Sequence, residues 1–221
     1  MKVRGKNIKK DFVRKTKDTN IFTAVKTCDI EIPAGALTVV RGRSGGGKST
    51  LLNILAGILK PTEGKVFYDD MDIYEMDDEA LSKFRNENIG YVPQGKSAIA
   101  SLSVFENIML PGILYGDRNE EKAAKLMEQF DITGIKNAMP EELSGGELRR
   151  MAIARALINN PKVLFADEPT GDLDDENTII VFEALKNIAK EGTAVLMITH
   201  EGEAEGYADR VFHMDAGVLS E

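Results

Sequence analysis

Residues 42–49 form a glycine-rich run that ends in a lysine and a serine, in the order Gly-Arg-Ser-Gly-Gly-Gly-Lys-Ser. Glycines let successive backbone N–H groups turn toward one centre, and a helix that follows adds partial positive charge at its N-terminus. We therefore expect a polyphosphate to be held chiefly by backbone, with Lys48 adding a full charge and Ser49 offering a hydroxyl to Mg²⁺. A simple glycine-rich turn is the alternative interpretation.

Two adjacent acids, Asp167 and Glu168, follow the apolar run Val163–Ala166. Ligands bind beyond the carboxyl ends of the strands in a parallel sheet, so a carboxylate there can hold hydrated Mg²⁺. We assign that role to Asp167, and we expect Glu168 to orient or deprotonate the attacking water. Helix capping is the alternative role for either acid, and the phosphate loop in the same chain argues against it.

Two further features take on chemical meaning only beside such a site. His200 follows the apolar run Val195–Thr199 and could contact a terminal phosphate, although a structural role is an equal alternative. Ser144 and Glu147 have the spacing of a capping box at the start of a helix. The same helix start could instead form a second anion cradle from exposed N–H groups.

Alternating strands and helices must position these residues. Apolar alternation and turn signals predict strands near Ile30–Ile32, at Leu37–Val40, Lys65–Tyr68, Ile89–Val92, Val163–Ala166, Ala194–Thr199 and Val211–Met214. Helical spacing predicts helices at Lys48–Leu59, Glu79–Arg85, Glu120–Phe130, Glu147–Asn159 and Asp175–Lys190. This order predicts an α/β fold with a largely parallel sheet, interrupted from Gln94 to Asn160 by a helical insertion.

The composition limits the remaining possibilities. With 221 residues, a net charge of −8 and 43% hydrophobic residues, the chain is expected to be one globular domain without general affinity for nucleic acid. The single cysteine, Cys28, cannot form an internal disulfide, and no apolar run is long enough to span a membrane. We therefore expect a cytoplasmic protein.

The N-terminus is a local exception to the acidic balance. Only Asp11 opposes its basic residues, which are Lys2, Arg4, Lys6, Lys9, Lys10, Arg14, Lys15 and Lys17. Several of them alternate with apolar residues, so a solvated strand face is the preferred interpretation over a lipid or nucleic-acid patch. His213 lies inside a predicted strand, far along the chain from every motif, and is interpreted as structural.

In this order, the motifs resemble the ATPase domains of the ABC transporter superfamily across nearly the whole chain. The resemblance implies a P-loop NTPase fold with a RecA-like parallel-sheet core, an N-terminal antiparallel β subdomain and a helical subdomain at approximately 95–160 within the single domain 1–221. It implies ATP and Mg²⁺ as ligands, with Glu168, His200 and Lys48 as catalytic residues and Ser49, Gln94 and Asp167 at the metal. The implied nucleotide-binding residues are Phe12, Gly42, Arg43, Ser44, Gly45, Gly46, Gly47, Lys48, Ser49, Thr50, Gln94, Ser144, Gly145, Gly146, Glu147 and Asp174.

The resemblance names these segments and gives each a role. Gly42–Ser49 corresponds to the Walker A loop, Leu143–Glu147 to the signature motif and Val163–Asp167 to the Walker B strand. Gln94 corresponds to the Q-loop glutamine, Gly171–Asp174 to the D-loop and His200 to the switch histidine. Phe12 stands where the family has an adenine-stacking aromatic residue, usually tyrosine.

The family's architecture implies partners as well. Two such domains dimerise head to tail, so that the signature motif of one covers ATP held by Lys48 of the other. The implied assembly is a homodimer, or a heterodimer with a second ATPase, on integral membrane permease subunits at the inner face of the cell membrane. The helical insertion would be the surface that docks on the permease.

The finer resemblance is to the subgroup serving lipoprotein release, macrolide and peptide export, and cell division. It depends on the segments Ala166–Asp174, Ile153–Leu157 and Glu106–Pro111. Two other functions remain open. One is a soluble ATPase without transport, such as an iron-sulfur assembly ATPase, and the other is a cell-division module in which hydrolysis is secondary.

Overall fold

The computed structural model describes residues 1–13, 21–95, 97–171 and 173–221, which form two sheets flanked by helices. The strands are β1 (Val3–Val13), β2 (Ile21–Ile32), β3 (Leu37–Arg41), β4 (Glu63–Tyr68), β5 (Met71–Asp72), β6 (Ile89–Val92), β7 (Val163–Asp167), β8 (Ala194–Thr199), β9 (Arg210–Asp215) and β10 (Val218–Ser220). The helices are α1 (Lys48–Leu55), α2 (Asp78–Asn88), α3 (Val104–Ile113), α4 (Glu120–Gln129), α5 (Gly145–Leu157) and α6 (Asp175–Lys190).

The larger sheet has six strands in the order β10-β9-β3-β8-β7-β6. Pairing is parallel from β9 to β6, and β10 returns antiparallel to β9. All five residues of β7 and all six of β8 are buried, as expected for strands covered on both faces. The parallel α/β architecture predicted from the sequence is confirmed.

The smaller sheet is antiparallel, in the order β2-β1-β4-β5. The basic N-terminal segment forms β1, and its Lys9 pairs with Asp11 at 3.0 Å and with Glu63 at 2.9 Å. The predicted strand is therefore present, and neighbouring carboxylates balance the charge of Lys9. Arg14, Lys15 and Lys17 lie outside the described residues.

Two hydrophobic cores cover the two faces of the parallel sheet. Helices α3, α4, α5 and α6 contribute to one of them. Helix α1 and the antiparallel sheet contribute to the other. Each strand sends alternate side chains to opposite faces, so Val39 lies in the first core and its neighbour Val40 in the second. The sheet is thereby packed between two layers, which hold the carboxyl ends of its parallel strands at one edge.

Helix α1 ends at Leu55, four residues before its predicted end at Leu59. Gly57 adopts a φ of +68°, which stops the helix, and Ile58 is 54% exposed although its apolar spacing placed it on the buried face. The apolar run thus continues beyond the helix into a turn.

Helix α3 was not predicted, because Pro111 lies inside it and breaks the expected pattern. Among the described residues between β6 and β7, regular structure is helical only, comprising α3, α4, α5 and two short 3₁₀ turns. The boundaries 95–160 for a separate helical subdomain remain a prediction. Within the described ranges, none of the helices combines the length and apolarity needed to cross a bilayer.

Candidate active site

The glycine-rich loop connects β3 to α1 at the carboxyl edge of the parallel sheet. The Gly42 N–H donates to Thr199 O at 3.2 Å, and the Gly46 N–H donates to Arg43 O at 3.2 Å. A Cβ on Gly42 would lie 2.0 Å from Met214 O, and one on Gly47, whose φ is +105°, would lie 2.2 Å from Ala24 O. Glycine is therefore required here by close backbone approach as well as by dihedral angle.

Lys48 is the first residue of α1, and its side chain is buried inside the loop that precedes it. The ammonium donates to Gly42 O at 2.8 Å and to Arg43 O at 3.1 Å. It also lies 3.3 Å from Glu168 Oε1. These contacts hold a positive charge at the centre of the loop, where the N–H groups at the start of α1 also converge.

Ser49 and Asp167 form an oxygen pair beside Lys48. The Ser49 hydroxyl donates to Asp167 Oδ1 at 3.1 Å. Burial raises the pKa of Asp167 and Glu168 raises it further, while the Ser49 hydrogen bond and Lys48 act in the opposite direction.

This pair fits Mg²⁺, a hard cation that takes oxygen ligands and usually keeps water and substrate phosphate in its coordination sphere. Among the described residues, no group of three or more His, Cys, Asp or Glu side chains could enclose a metal alone. A cation here would therefore take most of its ligands from phosphate and water, with Ser49 and Asp167 supplying the protein side.

Glu168 joins the loop to His200. Its Oε2 lies 2.7 Å from His200 Nδ1, while Oε1 faces Lys48. The Glu168 backbone has a φ of +46°, a conformation that non-glycine residues rarely adopt, and its N–H donates to Ile198 O at 2.9 Å. This turn directs the carboxylate of Glu168 across the sheet edge toward both partners. Strain of this kind is typical of functional sites.

An open cleft of ≈730 Å³ lies outside the loop. It is lined by Arg41, Gly42, Arg43, Ser44, His200, His213, Met214 and Asp215. The predicted residues Gly42 to Ser44 and His200 therefore meet at one surface, where the His200 side chain is 60% exposed.

His213 is far from every motif along the chain but close to the phosphate loop in space, and its structural role stays a prediction. β9 pairs in parallel with β3, so His213 lies opposite Arg41 and lines the cleft. No local signal could have shown this, because Arg41 and His213 are 172 positions apart in the chain.

Phe12 lies in the hairpin of β1 and β2, opposite Phe22, and is 37% exposed. The ammonium of Lys10 lies 5.2 Å from the centre of its ring. The same hairpin contacts the loop, since Ala24 O of β2 approaches Gly47. Phe12 is thus carried on an element that packs beside the phosphate loop.

Gln94 follows β6, whose neighbour β7 ends in Asp167. It is exposed, and its predicted contact with the metal stays a prediction. Nearby, Arg149 of α5 donates to Pro93 O at 3.1 Å, which ties the segment carrying Gln94 to that helix.

The turn Ser144–Glu147 opens α5 and forms the capping box that its spacing predicts. The Glu147 N–H donates to Ser144 Oγ at 3.3 Å, and Glu147 Oε2 accepts from the Ser144 N–H at 2.8 Å. The Ser144 hydroxyl, which donates to Glu147 Oε2 at 2.7 Å, and the Ser144 N–H lower the pKa of Glu147. The turn borders a different, smaller cleft of ≈60 Å³ with Gly95 and Leu173. Within one chain, this turn therefore lies apart from the cleft at the phosphate loop, and its role as an anion cradle stays a prediction.

Asp174 caps α6 by accepting the Asn177 N–H at 2.8 Å, and these contacts lower its pKa. Asp172, part of the segment assigned as the D-loop, lies outside the described residues.

Two further residues of the phosphate loop are predicted to bind nucleotide. Gly45 lies at the tip of the loop, and Thr50 lies in the first turn of α1.

A model of the ABC transporter family matches residues 25–171 of the chain. An uncharacterized ABC transporter ATP-binding protein of Methanocaldococcus jannaschii is 39% identical over 202 residues, which cover 90% of each chain. The lipoprotein-releasing system ATP-binding protein LolD of Syntrophotalea carbinolica is 37% identical over 97% of this chain and 95% of its own.

The fold is likewise similar to solved structures. The dimeric ATP-binding cassette MJ0796, in a post-hydrolysis state bound to ADP and Pi, superposes with a TM-score of 0.89 at 33% identity. The superposition covers 99% of this chain and 98% of that one.

Proposed function

The chain belongs to the ABC transporter family as an ATP-binding and ATP-hydrolysing subunit, and we propose that Lys48, Glu168 and His200 form its hydrolytic centre. The observation that carries this proposal is the continuous contact of the three side chains at the carboxyl edge of β3, β7 and β8. Lys48 also donates to Gly42 O of the phosphate loop, and Glu168 directly follows β7, the strand that ends in Asp167.

The proposed roles follow from the positions of the groups. Lys48 and the N–H groups of the loop bind the terminal phosphates and stabilise negative charge as it develops. Glu168 takes a proton from the attacking water, and His200, hydrogen-bonded to the same carboxylate, holds it in orientation. Ser49 and Asp167 would hold Mg²⁺, which would supply positive charge against the phosphates.

We further propose that the active form is a head-to-tail dimer, either of two copies or with a second ATPase. The turn Ser144–Gly146 borders a different cleft from the phosphate loop, which supports a site shared between two chains. The dimeric state of the similar cassette supports this proposal. ATP bound between two copies would stabilise the closed form, and its hydrolysis would release it.

The proposed partners are membrane permease subunits, with the chain bound at the cytoplasmic face of the membrane. The identity of 37% with a lipoprotein-releasing system ATP-binding protein supports a role in lipoprotein or peptide extrusion. The described helices supply no membrane-crossing segment, so such a partner would contribute that part.

The test is Glu168→Gln, which keeps the size of the side chain and removes its capacity to accept a proton. We expect ATP binding to persist while phosphate release falls by about 10²- to 10⁴-fold, the contribution of a general base. Glu203→Gln, on the exposed segment after His200, is the matched control and should turn over normally.

Turnover and ATP affinity should be measured separately on each purified variant. Wild-type phosphate release by Glu168→Gln would remove the base assignment. Loss of ATP binding along with turnover would instead assign Glu168 to the integrity of the loop through its contact with Lys48.

A further inference from the structure

Asn177 connects two motifs that are separate in the sequence. It lies in the first turn of α6, three residues after the helix cap Asp174. Its backbone N–H donates to Asp174 Oδ1 at 2.8 Å, and its side-chain Nδ2 donates to the same oxygen at 2.9 Å. The amide nitrogen is thus directed at the cap, and the amide oxygen is left to face away from it.

That oxygen faces the start of α5. Arg150 Nη1 donates to Asn177 Oδ1 at 3.1 Å. A Cβ built on Gly146 would lie 2.2 Å from the same oxygen, so the amide occupies the space that a side chain at position 146 would need. Gly146 and Arg150 are four residues apart in α5 and therefore share one face of the helix. Asn177 meets that face at two points.

The other end of the connection leads to Glu168. The Gly171 N–H donates to Glu168 O at 3.2 Å, and the Leu173 N–H donates to Thr170 O at 3.0 Å. These two hydrogen bonds lie between Glu168 and the cap at Asp174. The amide of Asn177 and the carboxylate of Glu168 are thus carried near the two ends of one short segment of the chain.

We propose that Asn177 is a positioning residue that fixes the Ser144–Gly146 cradle relative to the end of the strand carrying Glu168. This inference rests on the proposed function, because the cradle acts on nucleotide held by another copy. Asn177 touches no reacting atom. It sets the angle at which the cradle is presented, and so determines whether the cradle and the partner's phosphate loop meet around one nucleotide.

A purely local role for Asn177 in helix capping predicts a different result. Asp174 keeps the backbone N–H of residue 177 whatever side chain is present, so Asn177→Ala leaves that cap bond intact. It removes the hydrogen bonds from Asn177 Nδ2 to Asp174 together with the contacts with Arg150 and Gly146. Nε of Arg150 is buried with no hydrogen-bond partner among the described residues, whereas Nη1 of the same guanidinium donates to Asn177 Oδ1.

The experiment compares Glu168→Gln with Glu168→Gln/Asn177→Ala, because slow turnover lets ATP-bound dimers persist. Dimer formation is measured by analytical ultracentrifugation with ATP and Mg²⁺ over a series of protein concentrations. We expect Asn177→Ala to raise the concentration for half-dimerisation about tenfold, the effect of one lost hydrogen bond to a charged group. ATP affinity of the dilute monomer should change less than about twofold, since the phosphate loop does not contact Asn177.

Asn187→Ala is the matched control, because it makes the same change at an exposed position of the same helix. It should leave dimerisation unaltered. Dimerisation of Asn177→Ala equal to that of its parent, or an equal weakening by Asn187→Ala, would overturn the positioning role.

A second measurement tests the contact in the monomer without nucleotide. Gly146→Ala should lower the thermal unfolding midpoint in the wild-type background and lower it less when Asn177→Ala is also present, because the amide that collides with the new Cβ is gone. Equal losses in both backgrounds would contradict the inferred contact. If Glu168→Gln alone fails to dimerise with ATP, it is the proposed dimer that fails, and this cycle still decides whether Asn177 holds the cradle.

Discussion

At the scale of single residues, Lys48 shows how the loop holds a buried positive charge in place. Its ammonium is buried, and it is held by two loop carbonyls and by Glu168. Desolvating an ammonium is costly unless such partners surround it. The arrangement therefore holds the ammonium at a fixed position in the loop. The proposed binding of phosphate there would require little movement of this side chain.

Lys48→Ala is expected to weaken ATP binding by about 10- to 150-fold, the range that corresponds to a lost hydrogen bond to a charged group. Binding is measured by titration of a fluorescent ATP analogue. Lys60→Ala, at an exposed position after α1, is the control and should bind normally. Undiminished affinity of Lys48→Ala would contradict the role of the side chain in holding phosphate.

Lys122 shows a second, unrelated effect of burial. Its ammonium donates to Ile158 O near the end of α5, and burial lowers the pKa of Lys122 to about 8 from the ordinary 10.5. Between these two values the unfolded chain binds more protons than the folded chain, so this lysine makes the unfolding free energy rise with pH.

We therefore expect the unfolding free energy of wild type minus that of Lys122→Met to rise between pH 8 and pH 10.5. Urea denaturation at several pH values measures this difference, from which the titration of all other groups cancels. Lys125→Met changes an exposed lysine of the same helix and serves as the control. Parallel stability profiles for wild type and Lys122→Met would show that burial does not perturb this lysine.

At the scale of elements, α3 depends on its first turn. Ser103 forms a capping box with Glu106, in which the Ser103 N–H donates to Glu106 Oε2 at 2.8 Å and the Glu106 N–H donates to Ser103 Oγ at 3.3 Å. The helix also contains Pro111, which removes one backbone donor. Tertiary packing of Val104 and Ile108 and this cap together outweigh the proline.

Ser103→Ala should lower the unfolding free energy by about 1 kcal/mol, the usual effect of removing a serine cap. Chemical denaturation measures the change, and Ser101→Ala, at an exposed position two residues earlier, should shift it by less than about 0.5 kcal/mol. Equal effects of the two substitutions would indicate that packing alone holds the start of α3.

At the scale of the whole molecule, the phosphate loop and the turn Ser144–Gly146 border different clefts of one chain. The loop borders the larger cleft with His200, and Gly145 of the turn borders the smaller one. Because a symmetric assembly presents identical surfaces in pairs, a head-to-tail dimer would contain two composite sites, each with a loop from one copy and a cradle from the other.

Mixing two inactive variants tests this arrangement. Homodimers of Lys48→Ala and of Ser144→Arg each carry a defect in both composite sites, whereas a mixed dimer carries both defects in one site and none in the other. Random mixing should therefore restore about a quarter of wild-type phosphate release, from half the dimers with one intact site each. No recovery on mixing would indicate that each chain completes its own site.

The sequence by itself determined which local segments match nucleotide-binding motifs, and which strands and helices carry those segments. Gly42–Ser49 lies between an apolar strand and a helix, and the strands Ile89–Val92 and Ala194–Thr199 are predicted with the boundaries that the structure shows. These features depend on local chemistry, such as backbone freedom at glycine and the alternation of apolar side chains, which a short window of sequence contains. The α/β class follows from the order of those windows.

Only the tertiary structure decided which residues meet. The contact of Glu168 with Lys48 and His200, the placement of His213 opposite Arg41 and the packing of Asn177 on Gly146 all join distant parts of the chain. Strand order and register are set by how two faces of the sheet are buried at once, a property of the whole packed core that no local pattern contains. Packing of this kind also explains why α3 forms around a proline.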